Sequence, residues 1–205
     1  MSYSVEPRLH PIAIADLRPT QITVGMREVE MKQVHWRAER EEKGADFLGR
    51  HAVPVVIGPK RRLYLIDHHH LALALHLEGE EQVLTTEVAD LSRLGKDEFW
   101  SFLDSRSWMH PLDAEGHRRG HDQIPRKVSG LVDDPYRSLA GALRLAGGYA
   151  KTEAPFSEFL WADFLRRRIK RAVLERSFAK ALERALDLAR SREAAHLPGW
   201  CGPSD

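Results

Sequence analysis

The sequence predicts an α/β fold, a mixed α/β N-terminal part followed by a helical C-terminal extension. Three observations carry this. Strand-like and helix-like segments alternate as far as residue 106. Residues 107–130, with Pro, Gly and clustered charge, show little periodicity and read as loop. From Asp134 onward the periodic segments are all helical. The expected division is an α/β domain over 1–106, and a loop plus helical extension packed on it over 107–205.

Residues 8–17, RLHPIAIADL, read as a strand closed by Arg18-Pro19. Residues 24–39 read as a helix with Met26, Val29, Val34 and Trp36 as its apolar positions, followed by a polar break, REEKGADFLGRH. Two short apolar runs, Val53–Ile57 and Leu63–Ile66, flank Gly58-Pro59-Lys60-Arg61, which suits a hairpin connection. The Ala- and Leu-rich run after Asp67 reads as a helix ending at Gly79. Residues 82–88 read as a strand and 96–106 as a helix. Asp134-Pro135 is a helix start, with Asp as N-cap and Pro at the first helical position. Residues 157–169 and 171–191 continue as helix, and the tail is irregular.

The chain has 205 residues, 42% hydrophobic and 30% charged, with a net charge of +1. That balance excludes wholesale disorder and leaves no global field toward nucleic acid or membrane, so any such attraction is local. The single cysteine, Cys201, excludes an internal disulfide framework and a cysteine-based zinc site. No secretory signal and no membrane-spanning apolar run is visible, which makes a cytoplasmic protein without membrane partners the expectation.

The most informative segment is Tyr64-Leu65-Ile66-Asp67-His68-His69-His70-Leu71, a buried strand that ends in an acid before three histidines open a helix. The first N–H groups of a helix lack intrahelical partners, and its dipole places positive charge there. Histidines in that turn can donate to phosphate oxygens. Asp67 can fix a histidine tautomer or hold magnesium through water. The plainer alternative is a helix cap beside partly buried histidines. Consecutive helical residues point about 100° apart, so at most two of the three face one pocket.

On these residues the chain resembles the ParB/sulfiredoxin superfamily over residues 8–90. Partition proteins of that group carry Gly-Glu-Arg-Arg at this junction, sulfiredoxins Gly-Gly-Cys-His-Arg, and free-serine kinases Asp-Gly-His-His-Arg. Asp67-His68-His69-His70 is most similar to the last. The best match is the ParB-like nuclease group, which shares the Asp-His-His-His junction and a helical extension. Asp133–Gly141 and Phe159–Asp163 resemble that extension. The resemblance implies a small mixed sheet of ParB/sulfiredoxin type and a phosphate-containing ligand. The junction has no cysteine, which excludes sulfiredoxin chemistry. Leu71 replaces the motif arginine. No helix-turn-helix is legible in the C-terminal half.

Further candidates stand beside solvated-surface alternatives. Comparison with the kinases suggests a glutamate base in this segment, and Glu28 is the candidate because its neighbour Arg27 suits a phosphate ligand. Arg137 could replace the arginine missing at Leu71, and it shares a helix face with Arg144. Lys60, Arg61 and Arg62 suit solvated turn charges. His117, Arg118, Arg119 and His121 lie in the long loop, which could close over a ligand. The run Arg166-Arg167-Arg168, with Lys170 and Arg171, could touch nucleic-acid phosphates or be a solvated face.

The resulting expectation is a nucleotide- or phosphate-binding protein. Its first reading is a magnesium-assisted phosphotransferase or nucleotide hydrolase with Mg2+ and ATP or ADP. Asp67, His69, His70 and Glu28 would be catalytic. His68, His69, His70, Arg27 and Arg137 would bind phosphate, and Asp67 would hold the metal. The alternatives are a nuclease acting on phosphodiesters and a non-enzymatic DNA- or nucleotide-binding partition accessory. The expected partner is a nucleotide or a phosphorylated small molecule, with nucleic acid as the alternative.

Overall fold

A computed structural model describes residues 9–203, with the side chains of all of these except Leu9 and residues 41–50. Arg8, the first residue of the predicted opening strand, lies outside the described residues. The described chain is mixed α/β. Strands β1 (Leu9–Ala13), β2 (Leu17–Arg18), β4 (Val53–Gly58), β5 (Arg62–Leu65) and β6 (Gln82–Asp90) form a five-stranded sheet in the order β1-β6-β4-β5-β2. β1–β6 and β4–β5 are antiparallel, whereas β4–β6 and β2–β5 are parallel. The short strands β3 (Thr23–Val24) and β7 (Val132–Asp133) pair separately. The helices are α1 (Met26–Arg50), α2 (His69–Leu77), α3 (Lys96–Ser105), α4 (Pro135–Leu145), α5 (Ser157–Arg166), α6 (Arg171–Arg176) and α7 (Phe178–Arg190). No described helix is long and apolar enough to cross a membrane.

The chain forms two compact units, each built from several segments. The first holds Met1–Thr23, Val29–Asp113 and His117–Val132; the second holds Val24–Glu28, Ala114–Gly116 and Asp133–Asp205. The five-stranded sheet, α2 and α3 lie in the first unit, and α4–α7 in the second.

Three elements differ from their sequence reading. The single strand over 8–17 is two strands, β1 and β2, separated by a 3-10 turn at Ile14–Asp16. Pro11 lies in β1 at the sheet edge, where a missing N–H costs no ladder bond. The helix over 24–39 continues to Arg50, because the polar residues read as a break are mostly good helix formers. It buries Val29 and Trp36 but leaves Val34 63% exposed, which accounts for the irregular apolar stripe. The helical run over 171–191 is interrupted at Ser177, whose hydroxyl accepts from the Lys180 N–H at 3.4 Å and starts α7.

In the first unit, alternation along β4 and β5 sends Val56 and Tyr64 to one sheet face. There they pack with Phe99 and Leu103 of α3 and with Met109. Gly58 closes that face tightly, since a Cβ there would lie 2.6 Å from the Tyr64 ring and 2.8 Å from Phe99. In the second unit, α4–α7 enclose a core around fully buried Trp161, Leu139, Leu143 and Leu165. Tyr149 stacks on Trp161 at 4.4 Å, and α7 contributes Ala181, Ala185 and Ala189 at helical spacing. The polar tips of these aromatics are satisfied. Trp161 Nε1 donates to the Pro198 carbonyl at 2.8 Å, and the Tyr136 hydroxyl donates to Ile169 at 2.7 Å.

Candidate functional site

The strand–helix junction forms as the sequence implies, but its histidines are not equivalent. Asp67 and His68 are exposed, whereas His69 and His70 are buried. His68 is the N-cap of α2 and sits in the left-handed region, φ 63° and ψ 27°. Its N–H donates to Asp67 Oδ1 at 2.6 Å, so that oxygen is engaged within the turn itself. The Thr20 N–H donates to His69 Nε2 at 3.2 Å, and the Thr20 hydroxyl donates to the Leu65 carbonyl at 2.8 Å. An Nε2 that accepts a backbone N–H carries no proton, so His69 is neutral with its proton on Nδ1. His69 therefore anchors the segment after β2 to the start of α2. Asp67 offers one carboxylate, and among the described residues no three His, Cys, Asp or Glu side chains converge to hold a metal ion. A magnesium ion here would depend on waters and ligand phosphates for its other positions.

Partial withdrawal of the His68 ring from water lowers its pKa below the usual 6.5, and Lys32 and His51 add repulsion that Asp67 opposes. Because the folded value is the lower one, the unfolded chain takes up the proton first. Stability is then complete above about 6.5 and falls as pH drops toward the folded pKa. His68→Asn removes this titration and suits the left-handed backbone. Urea midpoints at pH 7.5 and 5.5 should therefore separate variant from wild type more at the lower pH. An equal acid loss in both proteins would place the titration elsewhere.

Arg27, Glu28 and Arg137 belong to the second unit. There the Met26 N–H donates to Asp133 Oδ1 at 2.9 Å and the Arg27 N–H to Ser138 Oγ at 3.2 Å, so the first turn of α1 is capped by groups flanking and within α4. The Arg27 guanidinium lies 3.8 Å over the Phe178 ring. Arg137 is 6% exposed and lies 3.7 Å over Phe159. Burial lowers its pKa, and Glu158 and Glu28 oppose the shift. Arg144 donates to Glu158 at 3.0 Å, so the shared face of Arg137 and Arg144 turns toward Glu158. Glu28, Arg137 and Glu158 thus form one charge group, in which the arginine is aromatic-stacked and enclosed.

The basic run at 166–171 is internally compensated. Arg166 pairs with Asp134 at 2.6 Å, Arg167 with Asp163 at 2.9 Å, Arg168 with Glu193 at 2.9 Å and Arg171 with Glu175 at 2.8 Å. Each of these four arginines therefore already holds a carboxylate.

Positive charge gathers instead at a cavity of about 360 Å3 in the first unit. Arg18 at the end of β2, Lys60 in the hairpin, Arg62 on β5, Lys96 at the start of α3 and Arg126 in the long loop all line it, against one acid, Asp122. Among the described residues none of these five cations is in an ion pair. Tyr64, Phe99, Trp100 and His121 form the aromatic wall. The hairpin holds Lys60 at φ 60° and Arg61 at φ 53°. The connection Pro59–Arg61 is three residues long, and residues with a Cβ are disfavoured in the left-handed region. Arg61 turns away to Asp90 at 3.7 Å, so Lys60 is the turn residue that reaches the cavity.

Sequence reading had weighed Lys60, Arg62 and His121 without joining them, and had missed Arg18, Lys96, Trp100 and Arg126. Of the other loop residues, Arg118 pairs with Asp104, and Arg119 pairs with Asp113 at 2.6 Å. Alternation on β5, which puts Arg62 and Tyr64 on one side, was the one local signal available.

A family model described as "Putative ParB-like nuclease" matches residues 10–167. The chain belongs to this ParB-like nuclease family. Similarity extends to a solved relative, the crystal structure of protein Atu1540 from Agrobacterium tumefaciens. It is 64% identical, matches 98% of this chain and 100% of its own, and superposes with a TM-score of 0.91. No curated protein matches the chain. In this ParB-like nuclease family member the matched segment includes both the Asp67–His70 junction and every residue named at the basic cavity.

Proposed function

We propose that this ParB-like nuclease family member binds nucleic acid through its phosphodiester backbone, at the basic cavity of the first unit. The observation that carries the reading is the gathering of Arg18, Lys60, Arg62, Lys96 and Arg126 around one cavity with a single acid. Cations brought together without acidic partners repel one another, and an incoming phosphate relieves that repulsion. The 166–171 run, whose arginines already hold carboxylates, lacks this property. Hydrolysis of a phosphodiester is the chemistry that the family description suggests for such a ligand.

Phosphate contacts release counterions, so the test is salt dependence. For a single strand each neutralised phosphate contributes a slope of about −0.7 in log K against log salt, so five contacts give about −3.5. Fluorescence anisotropy with a labelled oligonucleotide should show a slope approaching that value, and Arg126→Glu should weaken binding and flatten it. A salt-independent affinity, or an affinity indifferent to Arg126→Glu and Lys96→Glu, would remove the cavity from the function.

A further inference from the structure

We infer that the ligand of the basic cavity is single-stranded, with one unpaired base stacked on the Trp100–His121 platform. This inference rests on the phosphodiester reading above and adds the part of the ligand that carries no charge. Trp100 and His121 stand in the cavity wall with ring centroids 5.2 Å apart and planes 19° from parallel. The indole is braced edge-on by Tyr64 at 5.4 Å and Phe99 at 5.3 Å, both of which are buried. Two flat π-systems are therefore held at a fixed tilt on the rim of the core, each still partly exposed. A core residue needs no histidine as its stacking partner. A nucleobase platform needs this combination of flatness, orientation and access to solvent.

Charge and ring act on different parts of one ligand. Cations contact phosphates and do not distinguish paired from unpaired strands, whereas an aromatic face takes only a base that has left its stack. The cavity, at about 360 Å3, lies at the lower end of small-ligand pockets and suits a single nucleotide unit. In a duplex the base faces are already occupied by their neighbours, and lifting one out adds an unstacking cost. A phosphate-only ligand would leave the platform unused. Lys60 and Arg62 line the same cavity, Arg62 two residues before Tyr64 on β5, and Arg126 follows His121 in the long loop. A strand can thus lay its backbone on the cations while one base turns onto the rings.

The experiment compares ligands of equal charge on the wild-type protein. An oligonucleotide with bases, in DNA and RNA forms, is measured against the same chain made abasic, against a duplex and against inorganic polyphosphate. Stacking on an aromatic side chain predicts that the base-bearing single strand binds about 5- to 150-fold more tightly than the abasic chain. Trp100→Leu and His121→Ala should each shrink that ratio, because each lowers the affinity of the base-bearing strand more than that of the abasic chain. Equal affinity for abasic and base-bearing strands would overturn the platform and leave the phosphodiester reading standing. Tighter binding of duplex than of single strand would overturn the single-stranded assignment. Failure of every anionic chain to bind would remove both. The abasic comparison needs no variant, so it decides the matter even if Trp100→Leu does not fold.

Discussion

Asp134→Ala is expected to destabilise the protein by about 3–5 kcal/mol, the cost of leaving a buried ion-pair partner uncompensated. The Asp134 side chain is 3% exposed and that of Arg166 15% exposed, and the two meet at 2.6 Å. The same carboxylate caps α4, accepting the Tyr136 N–H at 3.0 Å through Oδ1 while Oδ2 holds Arg166. One side chain therefore starts a helix and neutralises a guanidinium whose buried Nε has no hydrogen-bond partner among the described residues. Arg166 has little room to move, because a Cβ at Gly116, itself at φ +82°, would collide with its Nη1. Burial pushes the Asp134 carboxyl above its usual 3.8, and the nearby Arg166 only partly opposes the shift. Desolvation thus outweighs pairing, the case in which removing one partner is far worse than replacing both. Arg166→Met added to Asp134→Asn should recover much of the loss, because the amide keeps the cap and no charge remains buried. In a chain of this size the single change lowers Tm by about 6–20 °C. A calorimetric shift below about 2 °C would show that Arg166 finds another partner.

Most of the framework was legible because it rests on local chemistry. The Val53–Ile57 and Leu63–Ile66 runs around Gly58-Pro59 specify a hairpin, and Asp134-Pro135 specifies a helix start, in a few residues each. The structure has both. Side-chain direction at the junction was not legible. Three histidines in a row look alike in sequence. Only the left-handed turn at His68, with Asp67 capping its N–H, decides that His69 and His70 go inward and His68 outward. The cavity was illegible for a different reason. Arg18, Lys60, Arg62, Lys96 and Arg126 come from two strands, a turn, a helix start and a loop, and tertiary contact alone assembles them. The contiguous basic run at 166–171 was conspicuous in sequence, yet each of its arginines meets a carboxylate.

Relaxing the β4–β5 turn should raise stability and, at one of its two positions only, weaken nucleic-acid binding. Lys60 and Arg61 are consecutive within the three-residue connection Pro59–Arg61, carry a Cβ and both have positive φ, which L-residues disfavour. Each left-handed L-residue costs about 1–2 kcal/mol, an amount asparagine reduces and glycine avoids at the expense of unfolded-state entropy. Arg61→Gly is expected to gain up to about 1 kcal/mol with binding unchanged. The ion pair it removes, with Asp90 at 3.7 Å, joins side chains 73% and 44% exposed and contributes little. Lys60→Asn is expected to be stabilising as well, but it withdraws a cation from the cavity and so lowers affinity and reduces the salt slope by about 0.7. The two variants separate strain from charge within one turn. Strain held at a site where the relaxed sequence binds less well is what a functional constraint on the backbone predicts. Urea midpoints and salt-dependent anisotropy on both variants measure it. Lys60→Asn that stabilises and binds as wild type would leave the lysine without a role at the cavity. Loss of stability in both variants would show that the turn is not strained.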